Sequence, residues 1–298
     1  MARVGVYLGV MKNGNKSKVA LVTGASAGIG KAIVRRLLAD GWTVYGGARR
    51  VEQMADIRGE GAKVLALDVT DEASMQAAVQ AILGAEGRID ALVNNAGYGS
   101  YGALEDVPMD EARRQFEVNV FGLVRLSQLV LPAMRAARAG TIVNISSMGG
   151  RIWMPIGGWY HATKHAVEVL SDAMRVETAP FGVKVVVVQP GAIESEWAAI
   201  SAKNLVAASK DSVYRDQTDP MAALLSHYDN AASPDVVAHA VSRAVNSARP
   251  RRRYATPMDA KMLIFLRWLL PEAWWEGLVR VAVRPAARGA TKALAAAS

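Results

Sequence analysis

Short runs of apolar residues alternate with stretches of helical period along most of this chain. Val19–Val22, Thr43–Tyr45, Val64–Leu67, Ala91–Val93, Thr141–Ile145 and Val183–Val188 read as strands, because nearly every position in them is apolar. Between them, apolar positions recur at helical spacing over 28–40, after Arg50, from Asp71, over 110–136 and over 160–179. A strand that is apolar on both sides needs cover on both sides, and the interleaved helices supply it. The pattern therefore predicts an α/β fold with a doubly wound parallel sheet. Right-handed crossovers then bring the carboxyl ends of all these strands to one edge. A last strand follows at 253–255, and beyond it 262–270 and 272–284 form two short amphipathic helices broken by Pro271. The expected division is a disordered extension over 1–16, one domain over 17–257 and a helical C-terminal extension over 258–298, whose last residues, 285–298, fray.

Composition narrows the classes. With 298 residues, the chain is long enough for one sizeable core. No uninterrupted apolar run approaches the roughly 18 residues of a membrane span, so none is expected. Cysteine is absent, which excludes disulfides, thiolate metal sites and a cysteine nucleophile, and fits a reducing compartment such as the cytoplasm. His161 and His165 have the spacing of a helical metal pair, yet no third ligand is spaced to join them. They are assigned to the surface or a subunit interface, and no metal is expected. Of the net charge of +8, six units fall within 250–298, where nine Lys/Arg face three acids. These cations are interleaved with aliphatic and Trp positions and match no nucleic-acid motif, so no nucleic acid is expected as a partner. The tail has three candidate uses: a pocket lid, which is favoured, a subunit contact, or a peripheral membrane helix.

Chemistry enters where strands end. After the first strand, in Thr23-Gly-Ala-Ser-Ala-Gly-Ile-Gly30, Gly24, Gly28 and Gly30 leave no side chain between backbone and ligand, so a pyrophosphate can sit on the amides of the following helix. Tyr160 and Lys164 are one helical turn apart, and an ammonium so placed makes a phenol more acidic. Free tyrosine ionises near pH ~10, so work near neutrality needs about 4 kcal/mol of charge stabilisation. Ser147 lies thirteen residues upstream, and Asn94-Asn95-Ala96-Gly97 closes the fourth strand.

Together these motifs resemble the short-chain dehydrogenase/reductase family over about 18–197. The resemblance implies a Rossmann-type sheet and hydride transfer between a nicotinamide and a carbonyl. It implies Tyr160 as acid/base, Ser147 polarising the oxygen, Lys164 lowering the tyrosine pKa and holding the ribose, and Asn119 supporting a proton relay. Cofactor contacts are expected from Gly24, Ser26, Gly28, Ile29 and Gly30, from Asp68 and Val69 around the adenine, from Asn95, Ala96 and Gly97, from Tyr160 and Lys164, and from Pro190, Gly191 and Ile193. Ser195 stands where Thr is commoner. At the end of the second strand Ala48 replaces the acid that binds a ribose hydroxyl, and Arg49 and Arg50 follow, which favours NADP(H). Ala27 stands where many NADP-using relatives carry a base, which moderates that preference.

On the substrate side, Trp153, Met154, Trp159 and Trp197 are expected in loops overhanging the nicotinamide, with 198–230 as a covering insertion. At the same time, two of these four side chains could serve only the core. A hydrophobic alcohol or ketone of the steroid, retinoid or long-chain sort is implied, in a homodimer or homotetramer. The rival reading is a catalytically silent NADPH-sensing protein of the same fold.

Overall fold

The computed structural model describes residues 17–194, 196–226 and 231–282. The expectations for 1–16, Ser195 and the tail beyond 282 lie outside the described residues. Strands β1 (Val19–Thr23), β2 (Thr43–Ala48), β3 (Lys63–Ala66), β4 (Ala91–Asn94), β5 (Gly140–Ile145), β6 (Val183–Pro190) and β7 (Arg253–Thr256) form a parallel sheet in the order 3-2-1-4-5-6-7. The helices are α1 (Gly28–Ala39), α2 (Ala55–Gly59), α3 (Glu72–Glu86), α4 (Met109–Phe116), α5 (Gly122–Ala136), α6 (Gly158–Thr178), α7 (Glu196–Ala208), α8 (Arg215–Ser226), α9 (Asp235–Asn246), α10 (Met258–Leu269) and α11 (Glu272–Ala282).

Alternate strand residues feed two separate cores. Ala20, Val22, Val93, Val143 and Val186 pack with Ile33 and Leu37 of α1 and Val237 and Val241 of α9. Val19, Leu21, Leu92, Ile142 and Val185 pack on the other face with Val79 and Ile82 of α3 and Leu126 and Val130 of α5. Each such side chain contributes roughly 1.5–3 kcal/mol by leaving water. Strands covered on both sides have no polar face to show, which is why they read as unbroken apolar runs.

The helix expected over 110–136 is not uniform. A π-helical turn, Glu117–Phe121, separates α4 from α5 and carries the buried Asn119. Over its most apolar window this composite helix, Met109–Ala136, reaches a mean hydropathy of 1.2 and would be long enough to cross a membrane. Isolated polar positions interrupt its apolar ones, so it contains no long unbroken apolar run. In the fold, Leu126, Val130 and Met134 of α5 are buried against the sheet. Within the expected insertion, the described residues form α7 and α8, which pack together over the carboxyl edge of the sheet, where Leu205, Met221 and Leu225 join Tyr101 and Tyr160 in a third core.

Candidate active site

The chain reverses its direction of travel across the sheet between β1 and β4, and a crevice must open outside the strand ends there. A cavity of about 1270 Å³ occupies it, larger than the roughly 300–1,000 Å³ that one small ligand needs. It has room for two molecules.

One end is a backbone cradle. Gly24 turns the chain with φ +65, and a Cβ on Gly30 would stand 2.2 Å from the Gly24 carbonyl oxygen. Only glycine allows α1 to start this close to the end of β1. Ala27 caps α1 with no side-chain hydrogen bond, and no acid stands in the first turn, so the helix directs unclaimed N–H groups and positive potential at the cavity. Ser26, Gly28 and Ile29 line it there. Asn95 braces the turn by donating from Nδ2 to the Thr23 and Gly24 carbonyls at 2.9 and 3.3 Å, while the Thr23 hydroxyl accepts from the N–H groups of Asn95 and Ala96 at 3.0 and 2.9 Å. These residues fit a dinucleotide whose pyrophosphate rests on backbone amides.

Arg49 and Arg50 line the same cavity with exposed guanidiniums. The phenol of Tyr98 lies within electrostatic reach of Arg49. Burial, then Glu111, pushes that phenol above its ordinary value, and Arg114 and Arg49 pull it down. Arg114, which also lines the cavity, is thus a third cation on this side; exposed on α4, it left no mark in the motif pattern. Asp68 and Val69 stand at the edge, with Asp68 Oδ1 accepting from the Thr70 N–H and hydroxyl at 2.9 and 2.8 Å. Ala96, Gly97, Pro190, Gly191 and Ile193 complete this part of the lining. The Ala192 N–H donates to Asp259 Oδ2 at 2.9 Å, which pins the loop after β6 to the start of α10.

The reactive groups meet in the middle. Tyr160 and Lys164 follow each other on the buried side of α6, with the ammonium nitrogen 5.9 Å from the phenol ring centroid. Lys164 Nζ donates to the Ile145 carbonyl at 3.0 Å, and burial, partly offset by Glu168, pulls its pKa down to about 8. Ser147 leaves β5 in extended conformation, and its Oγ accepts from the Gly149 N–H at 3.0 Å. That bond uses a lone pair and leaves the hydroxyl proton free to polarise a substrate oxygen. Ser146 places its Oγ elsewhere, 2.6 Å from where a Cβ on Gly150 would stand. Asn119 sits behind the cavity wall: its amide donates to the Tyr98 carbonyl and the Thr163 hydroxyl at 2.9 and 3.1 Å, and its Oδ1 accepts from the Tyr98 N–H at 3.0 Å.

The expected substrate residues divide. Trp197 and Met154 line the cavity, and the Trp197 ring lies 5.2 Å from that of Tyr160. Trp159 does not line it. One residue before Tyr160 on α6, it is rotated by about 100° away and packs edge-on against Phe116 of α4. Trp153 also turns outward, donating from Nε1 to Glu272 of α11 at 3.3 Å. The wall is built instead by Ile152, Met221, Leu225, Leu263, Trp275 and Val279, so α10 and α11 close the cavity.

His161 corrects a second expectation. It is 6% exposed and lines the cavity, whereas His165 is exposed. The reason is a neighbouring backbone: His161 Nδ1 donates to the Gly149 carbonyl at 2.9 Å, so the ring is drawn inward. Burial first, with His165 nearby, pulls its pKa from 6.5 down to about 4. Between those values the unfolded chain binds the extra proton. The contribution of His161 to stability is full above pH 6.5, is lost as pH falls through 4, and amounts to roughly 3 kcal/mol. His161→Gln should therefore shift the acid limb of a circular-dichroism unfolding curve to lower pH; an unchanged limb would show that the ring does not govern it.

A model of the short chain dehydrogenase family matches residues 18–205. The Probable short-chain type dehydrogenase/reductase VdlC of Helicobacter pylori is 34% identical over 266 residues, which cover 89% of this chain and 97% of that protein. The NADPH-dependent 3-dehydrocapnine reductase of Ornithobacterium rhinotracheale is also 34% identical over 266 residues, covering 86% and 93%. Among solved structures, a short-chain dehydrogenase from Streptomyces avermitilis superposes with a TM-score of 0.75 at 35% identity, covering 89% of this chain and 98% of that one. A serine dehydrogenase complexed with NADP+ superposes with a TM-score of 0.71 at 26% identity, covering 81% and 95%.

Proposed function

Because the chain belongs to the short-chain dehydrogenase/reductase family, we propose that it is an NADP(H)-dependent oxidoreductase of hydrophobic alcohols and ketones, with long aliphatic ketones as the best substrates. The observation that carries this reading is one cavity joining Tyr160, Ser147 and Lys164 to a cation-flanked cradle at one end and a wall of Met, Leu, Val and Trp side chains at the other. The similarity to an NADPH-dependent 3-dehydrocapnine reductase supports both the cofactor and the direction of reduction. Cytoplasmic residence and a dimeric or tetrameric state belong to the same reading.

A bound nicotinamide supplies or accepts the hydride. In the direction of reduction, Ser147 donates its hydroxyl proton as a hydrogen bond to the carbonyl oxygen, and Tyr160 transfers its phenolic proton to that oxygen. Lys164 stabilises the negative charge that develops on the phenol. Trp197 and Trp275 exclude water from one side of the reacting carbonyl. Asn119 fixes the backbone of Tyr98, next to Gly97, and so holds the loop after β4 in place.

Arg49 and Arg50 are assigned to the adenosine 2′-phosphate. A charged hydrogen bond of this kind is worth about 1.5–3 kcal/mol, so Arg49→Ala/Arg50→Ala should raise the KM for NADPH by about tenfold or more and leave that for NADH nearly unchanged. The assay is oxidation of NADPH, with NADH in parallel, against long-chain aliphatic, steroid, retinoid and short ketones. Preference for NADH in the parent, or equal loss with both cofactors in the variant, would reject the cofactor assignment. Turnover of short ketones alone would reject the substrate class.

A further inference from the structure

We infer that the outer face of α10 and α11 docks on an anionic lipid bilayer, so that the cavity takes its substrate from the membrane surface. The inner sides of these helices are used up: Leu263, Trp275 and Val279 wall the cavity, and Trp275 is 1% exposed. Their outer sides are just as apolar. Met258, Met262, Phe265 and Leu269 follow one another at three- and four-residue steps along α10, and Trp274, Leu278 and Val281 do so along α11, all exposed. Trp268, 78% exposed, lies beside Phe265 with ring centroids 5.9 Å apart. A helix that covers a water-soluble core turns a polar side outward; these two turn a mainly apolar one, with Lys261, Glu272 and Arg280 between the apolar residues.

Two observations identify the occupant. The first is continuity with the mouth of the cavity. Leu278 belongs to this face and lines the cavity as well, and Ile200 and Leu224 are further exposed apolar residues of the lining, so the apolar face reaches the opening. A second copy of the chain seated here would cover the route by which substrate enters. The separate apolar stripe of Val169 and Val176 on α6, continued by Phe181, remains available for a subunit contact. The second is charge. Lys261 is exposed among the aromatic residues, while Arg267 and Arg280 pair with Glu272 and Glu276; the sequence that follows adds Arg284, Arg288 and Lys292 and no acid, so residues 258–298 carry six Lys/Arg against three acids. Tryptophan beside cations is the composition that settles at the headgroup level of an anionic leaflet.

The inference deepens the long-chain substrate reading, yet docking can be measured without any substrate. The full-length protein with NADPH is sedimented with vesicles of phosphatidylcholine mixed with phosphatidylglycerol, beside Phe265→Asp/Trp268→Asp, two positions that line no part of the cavity. The parent should pellet with the vesicles and be released by salt. The variant should bind about tenfold more weakly or worse, with unchanged turnover of a short soluble ketone. A parent that stays in the supernatant, or a variant that binds as well as the parent, overturns the inference. So does a variant that changes the mass of the assembly in light scattering, because the face would then join two copies of the chain. Loss of long-chain turnover with vesicle binding intact would count against the substrate class and leave the docking surface standing.

Discussion

Replacing Tyr160 with Phe should lower kcat by about a thousandfold, within the range expected for losing a general acid, while NADPH binds as before. Tyr160 lines the cavity, whereas the cradle around Gly24, Gly30 and Asn95 is set by backbone contacts that the substitution does not reach. The Tyr160 ring packs against Tyr101 and Trp197, and phenylalanine keeps that packing. Single-turnover kinetics with titration of NADPH fluorescence separates the two effects. A cofactor-sensing protein would respond to NADPH equally well with either residue, and an unchanged rate would remove Tyr160 from the chemistry.

The second large effect is a trade between activity and stability at Lys164. Holding this ammonium in a buried site pulls its pKa from 10.5 down to about 8, and at pH 7 that costs the folded state roughly 3 kcal/mol. The folded value lies below the unfolded one, so the contribution of this group to stability is full above pH 10.5 and is lost as pH falls through 8. Lys164→Met removes the charge and keeps most of the volume, at the expense of the bond to the Ile145 carbonyl, about 1 kcal/mol. Glu168 is not orphaned, since Arg253 and Gln189 hold its two oxygens at 2.8 and 2.9 Å. Without cofactor, the variant should melt roughly 4 °C higher at pH 7, the gain should vanish near pH 10.5, and turnover should fall by at least about a hundredfold. A variant that melts lower at pH 7 would mean that the buried ammonium stabilises the fold.

The strands were legible because a sheet covered on both faces must be apolar on both, as β1 with its two alternating sets of core residues illustrates. The cradle was legible because a close approach of helix and strand leaves glycine no substitute at position 30. Other features depend on contacts between distant segments. The π-helical turn at Asn119 goes with hydrogen bonds to Tyr98 and Thr163 that no helical periodicity reveals. Whether a large apolar side chain at the strand ends faces the cavity depends on a single step of rotation: Trp197 at the start of α7 and Met154 face it, Trp153 and Trp159 at the start of α6 do not. His161 is assigned to the surface or an interface from sequence because no third ligand is spaced to join it and His165, and the carbonyl of Gly149, twelve residues earlier, draws its ring inward instead.

The cradle, the serine, the tyrosine and the lysine all lie within residues 18–205, the part that matches the family. Met221, Leu225, Leu263, Trp275 and Val279, which shape the apolar wall, all lie after it. Ile152, Met154 and Trp197 lie within it, so the two tasks overlap in sequence but most of the wall comes from the later stretch. Variation in the latter stretch can change what is recognised without disturbing the hydride chemistry, so a lineage can explore new substrates by recombination near a single point. The same arrangement means that a ribosome finishes the reaction centre before it makes the part of the wall that α8, α10 and α11 supply.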